Sequence, residues 1–136
     1  MPDPSPVSDS GPAPIGPVVR WPDVEPASML PGIRAALAVG DQLSAAFYTL
    51  DPGAVVPEHS HPNEEFGQVV EGSLELRWTD PTGPHTAVLA AGEAFILPGG
   101  VRHAAVAGVG GCRLLECYAP PRTPTAPTAA PSTEDR

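Results

Sequence analysis

The chain has 136 residues, a net charge of −9 and seven basic residues, all of them arginine, with 41% hydrophobic content. That length supports one domain at most, with enough apolar residues for a compact core. The charge balance excludes the clustered positive charge that nucleic acids and anionic membranes require, and the absence of lysine excludes a lysine Schiff base or general base.

Proline and glycine total 20 and 14 residues, but eight of the prolines lie in residues 1–26 and five in residues 120–136. Residues 1–17 are Pro, Ser, Gly and Asp with almost nothing to bury, and are expected to be a disordered tail. The opening MPDPSPVSDS has neither a basic n-region nor an apolar h-region, so no signal peptide is expected. No run of 18 apolar residues suggests a membrane span. A cytoplasmic protein that binds neither nucleic acid nor membrane is the expectation.

Residues 18–32 carry Val18, Val19, Trp21, Met29 and Leu30 between prolines and should pack as an extended arm on a domain that runs to residue 122. Short apolar runs then follow, punctuated by Gly, Pro and Asp. They predict strands at 33–39, 42–50, 54–58, 65–71, 73–79, 85–90, 94–97, 103–107 and 112–118. Turn signals separate them, among them Asp51-Pro52-Gly53, Glu71-Gly72, Pro98-Gly99-Gly100 and Gly108 to Gly111. No segment has a capped helical stripe. Many short strands at close spacing read as an all-β antiparallel barrel or sandwich, and barrel closure would remove unpaired edges. Residues 123–136 form a second Pro-rich tail.

Cys112 and Cys117 fall five apart on one predicted strand, so they point to opposite faces and cannot bridge each other. They are expected to be reduced and structural. His85 follows a Pro-rich turn and is expected to be an exposed residue at a strand start.

The chemistry is concentrated in two segments. Gly53 to Gly72 reads GAVVPEHSHPNEEFGQVVEG, or G-x5-H-x-H-x3-E-x6-G, and Gly92 to His103 reads GEAFILPGGVRH, or G-x5-P-x-G-x2-H. On a strand, residues i and i+2 share a face, so His59 and His61 can approach one ion. Pro62 and Asn63 then turn the chain, and the next strand returns a carboxylate. Glu65 fits the spacing, with Glu64 pointing away. The turn at Pro98-Gly99-Gly100 aims His103 inward. Three imidazoles and one carboxylate suit a single divalent Fe, Mn, Ni, Co or Zn ion. Four protein ligands leave positions on a six-coordinate ion for water or substrate.

These two segments resemble the two signature motifs of the cupin superfamily. The second departs at its end, where Ala107 stands in place of the usual Asn, which is not a ligand. The resemblance covers roughly residues 30–122. It implies a small cupin-like β-barrel or jelly roll, commonly a homodimer, with a bound metal. The stretch His59-Ser60-His61-Pro62-Asn63-Glu64-Glu65 with Val70-Glu71-Gly72 is similar to small single-domain cupins of the pectin-degradation type, which linearise unsaturated uronates. Their terminal Leu-Asp-x-Phe-x-Pro-x-Arg-like stretch has its counterpart in Leu115-Glu116-Cys117-Tyr118-Ala119-Pro120-Pro121-Arg122. By that match Glu116 takes the acid/base position, Tyr118 packs against substrate and Arg122 binds a carboxylate; Tyr48 joins them as an expected substrate-binding residue. Glutamate for aspartate and tyrosine for phenylalanine are departures that leave substrate and reaction open.

From the residues alone, Leu114, Glu116 and Tyr118 alternate onto one face of the last strand. A carboxylate on an interior face must be paired, hydrogen-bonded or functional; the other placement has Glu116 facing solvent or pairing with Arg113 or Arg122. The expected function is a metal-dependent, non-redox isomerase, ring-opening or cyclisation enzyme acting on a sugar acid or a polyketide-like intermediate. An Fe(II)-dependent dioxygenase and a non-catalytic ligand-binding barrel are the alternatives.

Overall fold

The computed structural model describes residues 17–123. The two expected tails lie outside the described residues, apart from Pro17 and Thr123. The expected arm contains a 3-10 turn, Trp21–Asp23, and a strand, β1 (Ala27–Leu30). The arm is anchored by Trp21 against Phe47, ring centroids 5.6 Å apart. Seven further strands follow: β2 (Ile33–Val39), β3 (Ser44–Leu50), β4 (Val55–His59), β5 (Glu64–Asp80), β6 (Gly83–Ala90), β7 (Ala94–Leu97) and β8 (Arg102–Ala119). Among the described residues no helix is long and apolar enough to cross a membrane.

All pairings are antiparallel. Two long strands run through both layers of a jelly roll. The first half of β5 and the second half of β8 pair with each other and carry β7 on one side and β3, β2 and β1 on the other. The second half of β5 and the first half of β8 also pair, flanked by β6 and β4. Among the described residues the ladder does not close into a ring. Each of β1, β4, β6 and β7 pairs on one side only, so the expectation that closure removes the edges does not hold.

Two predicted breaks also fail to end their strands. Glu71-Gly72 and Gly108 to Gly111 lie inside β5 and β8. The burial pattern explains why. Along β5 the inward residues are Glu65, Gly67 and Val69, then Leu74 and Leu76; along β8 they are His103, Ala105 and Ala107, then Cys112, Leu114 and Tyr118. The parity switches in mid-strand because the register shifts between Val69 and Glu71 and again between Gly72 and Leu74. An odd residue inserted into a ladder flips which face each side chain takes, and it bends the strand from one layer into the other. Gly72 has φ +83°, and a Cβ there would lie 2.1 Å from the Gly111 carbonyl oxygen. Only glycine fits where the two bends cross.

The core between the layers is built from Ile33, Leu50, Val69, Leu74, Leu76, Leu89 and Leu114, with Tyr48, Trp78 and Phe95 packed at its margin. Both cysteines are free, with Cys112 buried among these residues and Cys117 partly buried.

Candidate metal centre

Four residues predicted as ligands come together at one end of the core. His59 is the last residue of β4 and the cross-strand partner of His103 on β8, with ring centroids 4.3 Å apart. His61 is not on β4. It lies in the loop after it, so strand alternation, contrary to expectation, does not place the His-x-His pair on one face; the loop brings the second ring round, 5.6 Å from the first. A ring nitrogen from each of His59, His61 and His103 lies within 4.8 Å of the other two. Glu65, on β5, puts Oε1 2.9 Å from His61 Nε2 and 3.4 Å from His103 Nε2. His61, Glu65 and His103 are buried, while Glu64 is exposed.

The tautomers follow from the backbone. His59 Nδ1–H donates to the Pro57 carbonyl at 2.9 Å, His103 Nδ1–H to Val101 at 2.8 Å, and His61 Nδ1–H to Asn63 at 3.2 Å. A carbonyl can only accept, so each Nδ1 carries a proton and each Nε2 is the nitrogen turned inward, ready to ligate once it carries no proton. Metal-binding histidines are oriented in this way. His103 Nε2 is buried with no hydrogen-bond partner, and His61 Nε2 and Glu65 Oε1 converge at 2.9 Å on the same space. These are groups that a cation satisfies. The residues present therefore fit one divalent metal ion.

The electrostatics divide the cluster: His59 and Glu65 are poised to ligate, whereas His103 favours its proton and gives it up to an incoming cation. Burial and the neighbouring His103 push His59 down to about 4, which keeps the ring neutral and able to ligate. Burial opposes ionisation of Glu65, but the adjoining His103 and His61 rings outweigh it and hold the carboxyl well below the usual carboxylate range. Burial would lower His103, but Glu65 raises it.

Beside this cluster lies a second carboxylate. Glu116 faces inward on β8, between Ala46 on β3 and Gly67 on β5. It pairs with neither Arg113 nor Arg122: Arg113 stacks on Phe47, with Cζ 4.8 Å from the ring centroid. Burial, reinforced by the charge of Glu65, pushes Glu116 well above the usual carboxylate range. The Tyr118 hydroxyl donates to Glu116 Oε1, and the Tyr48 hydroxyl in turn donates to Tyr118 across 2.9 Å. The Arg122 guanidinium lies 5.8 Å from the Tyr118 ring centroid.

Two residues that the sequence reading passed over hold Arg122 in place. Ser44 Oγ donates to the Arg122 carbonyl and accepts from its amide, both at 2.8 Å. Asn63, read only as part of a turn, is buried and donates to the Pro120 carbonyl at 2.6 Å. His85 also departs from expectation. It is half-buried on β6, stacked 5.2 Å from Trp78, with Nε2 3.0 Å from Asp80. A polar residue two positions into a strand after a Pro-rich turn gave no signal of these contacts, because Trp78 and Asp80 reach it only across the β5–β6 ladder.

Comparison with known proteins places this geometry. The cupin domain model matches residues 46–118. Germin-like protein 3-1 and putative germin-like protein 9-2, both of Oryza sativa subsp. japonica, are each 38% identical over 80 and 66 residues. These matches cover 57% and 47% of this chain but 33% and 31% of those proteins, so the chain spans about a third of the length of the curated relatives it matches. KdgF from Halomonas sp. superposes with a TM-score of 0.71 at 27% identity, covering 79% of this chain and 96% of that one. Bacillus subtilis oxalate decarboxylase, described with Mn(II) centres, superposes with a TM-score of 0.68 at 21% identity over 74% of this chain and 28% of that one, a likeness of fold. The likeness to KdgF bears out the resemblance to small pectin-degradation-type cupins. The family match runs from β3 through β8, takes in every residue that builds the histidine cluster and extends over more than half of the sequence; the chain belongs to the cupin domain family.

Proposed function

We propose that this chain is a metal-dependent cupin enzyme carrying out a non-redox isomerisation, ring opening or cyclisation on a small molecule, either a sugar acid or a polyketide-like biosynthetic intermediate. The observation that carries this reading is the placement of Glu116: inward on β8, in line with Gly67 and bonded by Tyr118. A barrel that only holds a ligand has no use for a second interior carboxyl, whereas proton transfer requires one within reach of substrate.

In this reading His59, His61, Glu65 and His103 hold one divalent ion (Fe, Mn, Ni, Co or Zn). When bound, the ion supplies Lewis-acid polarisation of a substrate carbonyl or hydroxyl. The chain's own groups do the rest. Glu116, held in its protonated form by burial and the neighbouring Glu65, gives its proton to one substrate atom and takes one back from another, so no electrons leave the substrate. Tyr118 and Tyr48 form a hydrogen-bonded series that fixes the Glu116 carboxyl and closes the floor against water. Arg122 offers a guanidinium at the rim for a substrate carboxylate. A homodimer belongs to the same proposal.

The test is turnover by protein loaded with Zn(II) or Ni(II) under anaerobic conditions, offered unsaturated uronates and oxygenated aromatic precursors. Product is expected without oxygen. An absolute need for Fe(II) with oxygen uptake would replace the reading with a dioxygenase, and binding without turnover would replace it with a non-catalytic barrel.

A further inference from the structure

A cavity of about 480 Å³ opens along the seam where β7 leaves β5, lined chiefly by Leu76, Trp78, Phe95, Ile96, Leu97 and Val101. Its volume falls within the range of small-molecule sites. Its walls are in register with the candidate active site. Trp78 is the cross-strand partner of His103, and Leu97 that of Glu65. Phe95 lies so close over Gly67, the partner of Glu116, that a Cβ on Gly67 would meet the ring at 2.2 Å. Three of its walls are thus cross-strand neighbours of His103, Glu65 and the glycine that pairs with Glu116.

We propose that this cavity seats the apolar body of the substrate, so that the substrate is a flat, mainly hydrocarbon ring system with oxygen functions at one end and not a polyhydroxylated sugar acid. The inference rests on the metal-enzyme reading for what happens at the oxygenated end. A uronate carries hydroxyls around its ring, and each would lose water against Trp78, Phe95 and Leu97 without gaining a partner. The polar side chain at the rim, Asp80, is already engaged: its Oδ1 accepts from the Thr82 amide at 2.9 Å and hydroxyl at 2.6 Å and lies 3.0 Å from His85 Nε2. An aromatic skeleton makes the opposite exchange, since it gains from apolar burial and stacks on Trp78 and Phe95.

The test uses the full chain loaded with Zn(II), titrated calorimetrically with 2-naphthoate and with galacturonate. Naphthoate is expected to bind at least about tenfold more tightly, the size of effect that burying one ring face gives. Its protons should show nuclear Overhauser contacts to the Trp78 indole. Ile96→Trp, at a position 63% exposed and so tolerant of change, should fill the mouth and weaken naphthoate about tenfold while leaving the zinc content unaltered. Equal or tighter binding of galacturonate, absence of contacts to Trp78, or naphthoate affinity unchanged by Ile96→Trp would each overturn the inference. A protein that fails to retain zinc would instead overturn the metal reading, and the Trp78 contacts on the same sample would still decide the cavity.

Discussion

The side-chain amide of Asn63 donates to the carbonyl of Pro120 across 2.6 Å and a sequence separation of 57 residues. The loop that delivers His61 is thereby fastened to the segment that delivers Arg122. Replacing Asn63 with Ala removes a part-buried hydrogen bond whose acceptor, at the exposed Pro120, can turn to water. The expected loss is about 0.5–1.5 kcal/mol in unfolding free energy by denaturant titration. Substrate KM should rise more than kcat falls, because Arg122 loosens; an unchanged stability would show that the bond contributes nothing net.

Removing a histidine tests the metal site directly. His61→Ala takes away one inward ring nitrogen and leaves Glu65 facing an opened space. Elemental analysis of the purified variant is expected to show most of the metal gone, and full retention would refute His61 as a ligand.

Glu116→Gln keeps shape and volume but removes the transferable proton. Metal content should match the parent, with turnover down by about 10²–10⁴. An unaltered rate moves the proton transfer to another group.

The crossing of β5 and β8 makes a paired prediction. Gly72→Ala forces a Cβ to 2.1 Å from the Gly111 oxygen at φ +83°, whereas Gly53→Ala, at φ +75°, meets nothing within 4 Å. Both carry left-handed strain, of order 1 kcal/mol or more. Only the first adds a backbone clash, so its melting temperature should drop well beyond that of Gly53→Ala. Equal drops would mean that β5 can bend without its glycine.

Burial, with a smaller part from the charge of Glu116, pushes the Cys112 thiol up to about 11. The folded value is raised, so the neutral thiol stabilises the fold fully below the unfolded value of 9.0. That contribution is lost as pH rises through about 11, because the unfolded chain gives up the proton first. Stability should therefore fall more steeply between those pH values in the parent than in Cys112→Ala. Parallel curves would remove the cause.

The fold was legible because apolar alternation and turn residues are local. Strand positions from Ile33 to Tyr118 follow from them, and the family match bears out the cupin resemblance. What was not legible depends on pairing. The bends at Gly72 and Gly108–Gly111 look like turns in one dimension, and only the ladder shows that the strands continue through them. Within the site, the residue types and spacing pointed to His59, His61, Glu65 and His103, which the structure brings together. The supporting residues Ser44 and Asn63 gave no such signal, because their partners lie 57 to 78 residues away. Trp78 and Phe95 were unreadable as cavity walls for the same reason: their neighbours across the ladder, not their own positions, give them a role.

All three imidazoles are oriented by main-chain carbonyls two residues distant. Such acceptors cannot be mutated away. Orientation of the rings is thus a property of the chain path, shared by every sequence that takes this path, and it can be lost only where the backbone itself opens. Reshaping the pocket by side-chain replacement can change what the protein acts on while leaving the aim of its metal-binding nitrogens untouched.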